Sequence, residues 1–351
     1  MCAIVSLGPK AGVLHQYAKK LIAFEYKTQS VKKPHSLLFI GGLGDGVATV
    51  DYMEDLVAAL EKTPWSIFTL QLSSSYDGWG SGSLDQDIEE IAECVNYVRE
   101  YKSVNFGPGR IAIMGHSTGS QDVLSYLYRP NPLLKSPGCH VEINSVKRPV
   151  IDGAIMQAPV SDREAILNVL ENGTHRDSPS AIREHFNKMV EFARRNTSSG
   201  DGTMDVMLPI EWTTRIYPVT TPISCRRFLS LASPDSPKKP SLDDLFSSDL
   251  SNDRLHETFG AIATQGMLRH KLMVLYSGRD RSVPKWVDKS NLMQRWKTAA
   301  NQNGKVEIWD SENSMIIPNA SHALSDPDQH EPRRILVSRV TNYLKTLEKL
   351  S

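Results

Sequence analysis

Apolar residues recur along this chain in two alternating rhythms. Short runs rich in β-branched and aliphatic side chains occupy residues 37–40, 67–72, 110–114, 150–157, 271–276 and 306–309, each of strand length. Between them the spacing lengthens. Residues 49–62 set Val50, Met53, Leu56, Val57 and Leu60 on one helical face, and residues 84–101 repeat this with Ile88, Ile91, Val95 and Val98. Residues 332–350 do so with Ile335, Leu336, Val340, Tyr343, Leu344 and Leu347. Ser83 stands where a helix cap is needed, and a run at 21–26 predicts an edge strand. Strands alternating with helices imply an α/β fold, a mostly parallel central sheet with helices on both faces.

The rhythm breaks between residues 161 and 264. Helical patterns at 162–170 and 180–195 precede a Ser-, Pro-, Gly- and Thr-rich stretch over 196–240. There Pro218, Pro222, Pro234, Pro237 and Pro240 forbid long regular elements. Trp212, Tyr217, Ile223 and Phe228 argue that part of it packs rather than serving as a linker. The expected organisation is a core of residues 1–160 and 265–351 with a cap inserted at 161–264.

The chain has 351 residues, with 40 basic and 40 acidic side chains and a formal net charge of zero. Such a balance lacks the long-range attraction that nucleic acids or anionic membranes exert, so neither is the expected partner; a small molecule is. Cys2, Cys94, Cys139 and Cys225 are scattered and form no CxxC pair. Neither a metal site nor a disulfide scaffold is expected, and reduced thiols suit a reducing compartment. The first residues lack the basic and apolar regions of a leader, and no run is long enough to cross a bilayer. The expectation is a soluble cytoplasmic protein. The sequons at Asn172, Asn196 and Asn319 would matter only in a secreted one.

Chemistry enters at Gly115-His116-Ser117-Thr118-Gly119, which fits G-x-S-x-G. A buried strand pattern precedes it and a helical pattern (Gln121 to Leu127) follows, the strand–turn–helix context that lifts a serine hydroxyl above a sheet. A tight turn with a capping serine would satisfy the five residues alone; the flanking elements favour a nucleophile. His116 adjoins the serine on a sharp turn and is expected to point away from it, packing or lining the pocket. The strand at 37–40 ends in Gly41-Gly42-Leu43-Gly44-Asp45-Gly46, so Leu43 (or Gly42) and Thr118 are the candidate oxyanion N–H donors. A dinucleotide or P-loop reading of that loop fails. The glycine spacing is one residue short of G-x-G-x-x-G, no acidic residue ends the next strand, and no Gly-Lys-Ser/Thr follows.

After the strand at 271–276, Asp280 precedes Ser282-Val283-Pro284, the place of a triad acid; a turn or cap role, paired with Arg279 or Arg281, is the alternative. His322 lies in Pro318-Asn319-Ala320-Ser321-His322-Ala323-Leu324, on a loop before the last helix. Ser117, Asp280, His322 is the chain order of triad partners in α/β-hydrolases. In such a triad His322 is the general base for Ser117, Asp280 orients it, and an acyl-enzyme forms without metal or cofactor.

From Phe39-Ile40-Gly41-Gly42-Leu43, through Met114-Gly115-His116-Ser117-Thr118-Gly119-Ser120-Gln121-Asp122, to Asn319-Ala320-Ser321-His322-Ala323-Leu324, the chain resembles a family of fungal α/β-hydrolases. Some of its members were long described only as uncharacterised. Within that family a known activity is intracellular cleavage of ester bonds in hydroxamate siderophores of the fusarinine type. The resemblance implies that Ser117, Asp280 and His322 form the triad of a siderophore esterase. It implies a bulky, partly cationic substrate, for which Asp45, Asp77, Glu211 and Trp212, with His116, could line a roomy, mildly acidic pocket. A general carboxylesterase or lipase, an amidase on the same triad, and a non-catalytic ligand-binding member of the fold stay open.

Overall fold

The protein is represented by a computed structural model that describes residues 8–27, 32–133, 147–198 and 205–350. Cys2 and Cys139 lie outside these residues; Cys94 and Cys225 are buried free thiols.

The described chain opens with an antiparallel hairpin of β1 (Gly12–Ala18) and β2 (Leu21–Tyr26). β3 (His35–Ile40), β4 (Trp65–Gln71), β5 (Ile111–His116), β6 (Gly153–Gln157), β7 (Leu272–Ser277) and β8 (Met315–Ile317) follow. Together they form one sheet in the order β1-β2-β4-β3-β5-β6-β7-β8. β2 meets β4 antiparallel, and the pairings from β4 through β8 are parallel.

Helix α1 (Met53–Leu60) joins β3 to β4, α2 (Leu84–Phe106) joins β4 to β5, and α3 (Thr118–Tyr128) leaves β5. After β6 come α4 (Asp162–Asn172), α5 (Pro179–Ser198), α6 (Ile210–Thr213) and α7 (Cys225–Ala232). Then α8 (Asn252–Thr258) and α9 (Ile262–Gln265) lead to β7, α10 (Lys289–Ala300) lies between β7 and β8, and α11 (His330–Glu348) is last. The hydroxyl of Ser83 accepts the N–H of Gln86 and so starts α2 as its sequence position predicts.

Because side chains alternate across a strand, β3 sends Leu38 and Ile40 to one face and Leu37 and Phe39 to the other. Ile88, Ile91, Val95 and Val98 of α2, with α3, α8 and α10, cover the first face. Met53, Leu56 and Leu60 of α1, with Leu336, Val340 and Leu344 of α11, cover the second. Each such buried side chain contributes roughly 1.5–3 kcal/mol. Burial on both sides explains why the strands read as continuous apolar runs.

A third apolar cluster joins Ile166 and Leu170 of α4, Ile182 and Met189 of α5, and Phe228 and Leu231 of α7 to Trp79 from the β4–α2 loop. Farther along, Leu245, Phe246, Leu250, Leu255, Phe259 and Ile262 pack into the sheet's own core.

Two expectations are corrected. The edge strand is β1, outside the strand at 21–26. β1 is mostly exposed, with Val13 and Leu14 facing solvent, so it carries little hydrophobic signal. The run at 306–309 is not a strand. The side chain of Asn301 takes the N–H groups of Ile308 and Trp309, leaving only an isolated bridge from Trp309 to Leu272. Asp310 then turns the chain by accepting the N–H groups of Glu312 and Asn313, and the ladder resumes as β8.

Candidate active site

β5 and α3 are joined through one residue, Ser117, at φ 54° and ψ −120°. A non-glycine side chain in that region is strained by about 1–3 kcal/mol. The turn is tight because a side chain at either flanking glycine would collide with backbone. A Cβ at Gly115 would lie 1.9 Å from the carbonyl oxygen of Gly119, and one at Gly119 would lie 2.4 Å from that of Ile40. The strain is held by a hydrogen bond from the Ser117 N–H to the Gln157 carbonyl at 2.9 Å and by the Ser120 N–H on the Ser117 carbonyl at 2.8 Å.

Asp280 follows the end of β7, and His322 sits on the loop between β8 and α11. Though 205 positions apart in the chain, His322 Nε2 and Ser117 Oγ lie 2.8 Å apart. On its other side His322 Nδ1 stands 2.6 Å from Asp280 Oδ2. The second Asp280 oxygen accepts the Ser282 N–H at 2.9 Å, so the carboxylate is held at both ends. Arg279 pairs instead with Asp326 and Asp328, and Arg281 with Asp326. Burial alone would lower the basicity of His322; the hydrogen bond and charge of Asp280 outweigh it and raise the imidazole above its ordinary range. With Nδ1–H donated to the carboxylate, Nε2 faces the serine hydroxyl with a free lone pair.

The loop after β3 approaches from the other side. A Cβ at Gly42 would lie 2.7 Å from Ser117 Cβ, which explains glycine there. The Gly42 N–H is already donated to Asp45 Oδ2 at 2.9 Å. The N–H groups of Leu43 and Thr118 have no acceptor among the described residues. Of the two loop candidates, Leu43 is therefore the one with a donor to offer. Thr118 adds its own at the first turn of α3, where the helix dipole favours negative charge.

The remaining candidates have different surroundings. His116 is buried, 3% exposed, and its ring centroid lies 5.0 Å from that of His322. Burial first, and the His322 charge next, push His116 down to about 4. Asp77 accepts hydrogen bonds from Thr220 and Thr221 and so ties the β4–α2 loop to the segment between α6 and α7. Trp212 packs edge-on against His185 and Phe192 of α5, and Glu211 is exposed.

Sequence reasoning passed over several groups that surround the triad geometry. Gln157 is fully buried; its side-chain oxygen meets Tyr52 Oη at 3.1 Å and His116 Nδ1. Nothing local marks it, since a lone Gln at a strand end is unremarked in any pattern. Behind Thr118 a small cavity is lined by Gly42, Leu43, Asp87, Asp122 and Arg227. Asp122 belongs to the Gly-His-Ser-Thr-Gly-Ser-Gln-Asp string, and its Oδ1 has no protein partner. Arg227 pairs with Asp243 and donates to the Trp79 carbonyl at 3.0 Å. Leu43 packs against the third apolar cluster, so helices α4, α5 and α7 abut the loop after β3. Among the described residues no group of three or more His, Cys, Asp or Glu is placed to hold a metal ion, and no helix is long and apolar enough to cross a membrane.

A family model described as "Protein of unknown function (DUF1749)" matches residues 5–345. The chain is 56% identical over 346 residues to a protein of Aspergillus fumigatus named fusarinine C esterase sidJ, covering 97% of this chain and 98% of that one. It superposes on a solved structure titled siderophore hydrolase EstB from Aspergillus fumigatus with a TM-score of 0.88 at 55% identity, covering 98% of this chain and 100% of that one. A more distant structure titled "Alpha/Beta hydrolase fold protein of unknown function" matches with a TM-score of 0.56 at 14% identity, covering 98% of this chain and 100% of that one, and shares the fold.

Proposed function

The chain belongs to the DUF1749 family of α/β-hydrolases and is a carboxylic ester hydrolase, and from that premise we propose that it cleaves ester bonds of fusarinine-type hydroxamate siderophores through Ser117, His322 and Asp280. The observation that carries the mechanism is the unbroken chain from Ser117 Oγ through His322 to Asp280, at 2.8 and 2.6 Å. The names of the relatives at 56% and 55% identity support the substrate class.

In this mechanism Ser117 Oγ attacks the ester carbonyl carbon as its proton passes to His322 Nε2. Asp280 stabilises the imidazolium and keeps Nδ1 protonated. The carbonyl oxygen, now carrying the negative charge, is received by the N–H groups of Leu43 and Thr118. Collapse of the tetrahedral species breaks the C–O bond, and the departing alkoxide takes the proton from His322. Water, deprotonated by His322, then attacks the acyl-enzyme, and its proton returns to Ser117 as the acid leaves. Helices α4 to α7, whose apolar cluster reaches Leu43, form the cap over this site.

The test is a fluorophosphonate probe on wild type and Ser117→Ala, followed by incubation with ferric and iron-free fusarinine siderophores and mass analysis of the products. Wild type is expected to be labelled and to release the hydrolysed monomers, and Ser117→Ala to do neither. Equal labelling of both proteins would refute the mechanism. Turnover of simple esters with intact siderophores would refute the substrate class.

A further inference from the structure

Asp45 does more at this site than contribute acidity to a pocket. The loop Gly41–Asp45 folds back so closely that a Cβ at Gly41 would lie 2.5 Å from Asp45 Cβ. Only a glycine at 41 lets the carboxyl reach across. Its Oδ2 accepts the Gly42 N–H at 2.9 Å, its Oδ1 accepts the Thr49 hydroxyl at 2.8 Å, and the Asp45 N–H returns to the Gly42 carbonyl at 3.0 Å. Both carboxylate oxygens and the backbone thus clamp the turn. The Thr49 hydroxyl oxygen itself accepts the Gly46 N–H at 3.1 Å, so the clamp has a second anchor. The Asp45 carbonyl accepts the Tyr76 N–H at 2.9 Å and ties the clamp to the β4–α2 loop.

We propose that Asp45 is a positioning residue of the oxyanion hole: by taking the Gly42 N–H it turns the Leu43 N–H toward the reacting carbonyl, and its charge backs the His322 imidazolium. The inference rests on the proposed serine mechanism and deepens it. A donor is useful to a transition state only if its direction is set beforehand, because reorienting it during reaction costs the free energy it would return. An unclamped loop of four glycines among six residues, 41 to 46, has no intrinsic preference for that direction.

The charge acts on a defined set of neighbours. His322 is faced by Asp280 from the end of β7, by Asp162 from the start of α4, by Asp45 from the β3–α1 loop and by His116 from β5. Asp280 dominates through its hydrogen bond; Asp45 adds a smaller pull of the same sign. Asp45 Oδ2 also lies 4.0 Å from His116 Nε2. Because His116 stays neutral in the working range, the carboxylate remains available to the imidazolium.

Two substitutions in the full chain separate geometry from charge, read as kcat, KM and the pH profile of kcat/KM on one ester substrate. Asp45→Asn keeps an oxygen for the Gly42 N–H and an amide for Thr49 but removes the charge. It is expected to stay within about threefold of wild type in kcat at optimum pH, with the acid limb moved to lower pH. Asp45→Ala removes both and is expected to lose about 10- to 100-fold in kcat with KM within about threefold, the scale of a misdirected oxyanion donor. Thr49→Val removes the second anchor while leaving Asp45 and the loop residues unchanged, and is expected to lie between them, deciding the matter should the alanine variant not fold. The proposal is overturned if Asp45→Ala, or Thr49→Val in its place, matches wild type, or if Asp45→Asn falls as far as Asp45→Ala. Ser117→Ala in the same assay keeps the questions apart. Its persistence in turnover would sink the serine mechanism, whereas an inactive Ser117→Ala beside a wild-type-like Asp45→Ala would sink this inference alone.

Discussion

The imidazoles of His116 and His322 lie with centroids 5.0 Å apart and planes inclined at 49°; burial lowers the basicity of both, and the Asp280 carboxylate makes His322 the more basic of the two. His116 is pushed down to about 4, while His322 is raised by Asp280. Two imidazolium ions at this distance would repel, so one neutral ring is a condition for the other to work as a base.

Activity should therefore follow His322. Its neutral form is the base, and its folded value lies above the ordinary 6.5, so kcat/KM is expected to rise with pH through a limb above that value. Asp280→Asn is expected to lower kcat by about 10³- to 10⁴-fold by allowing the wrong tautomer. A variant that kept more than a tenth of the wild-type rate would remove Asp280 from the role.

His116 affects stability with the opposite pH sense to a paired histidine. Its folded value near 4 lies below the unfolded 6.5, so the folded state binds fewer protons between them. Its contribution is complete above 6.5 and fades as pH falls toward 4, at up to about 1.4 kcal/mol per pH unit. Denaturant midpoints of wild type should drop between pH 7 and 5 by more than those of His116→Asn.

Asp87 and Asp122 face one cavity between α2 and α3, and they titrate in the other direction. Burial pushes Asp87 up to about 7 and Asp122 well above the carboxylate range. The folded state then holds protons that the unfolded chain releases above about 4, so this contribution is lost as pH rises toward 7. Asp122→Asn, neutral at every pH, is expected to be at least as stable as wild type at pH 8. A midpoint clearly below wild type there would show that the ionised carboxylate is needed.

Arg227 and Asp243 are both nearly inaccessible, with 2% and 3% of their side chains exposed. Removing the cation strands a buried carboxylate, and Arg227→Met is expected to cost about 3–5 kcal/mol. The loss should appear as a lower midpoint in chemical denaturation, and Arg227→Met with Asp243→Asn should recover part of it. A single variant as stable as wild type would mean that Asp243 is satisfied by other groups.

Much of this molecule is written locally. The alternation of apolar runs reports the sheet and its two helical layers, because a strand covered on both faces must be apolar throughout and a covering helix only on one stripe. The elbow is equally local: Gly115 and Gly119 are demanded by contacts with near neighbours in the chain and with β3, and the glycine string shows them. The residue types and order of Ser117, Asp280 and His322 are also visible in the linear chain, as is the resemblance carried by the motif around Ser117.

Other features exist only where distant segments meet. Whether Gly42 or Leu43 offers its N–H depends on the Asp45 carboxylate folding back over Gly41, a rotamer and not a pattern. The run at 306–309 has strand composition, but Asn301 takes its N–H groups, so the last ladder forms at Met315–Ile317 instead. Gln157 joins His116 and Tyr52 across 41 and 105 positions, and the charged group around Arg227 gathers Asp87, Asp122 and Asp243 from separate elements. Periodicity encodes which face a residue takes within its own element. Hydrogen bonds and charge pairs between elements depend on how the layers are stacked, and that is settled only when the chain has folded.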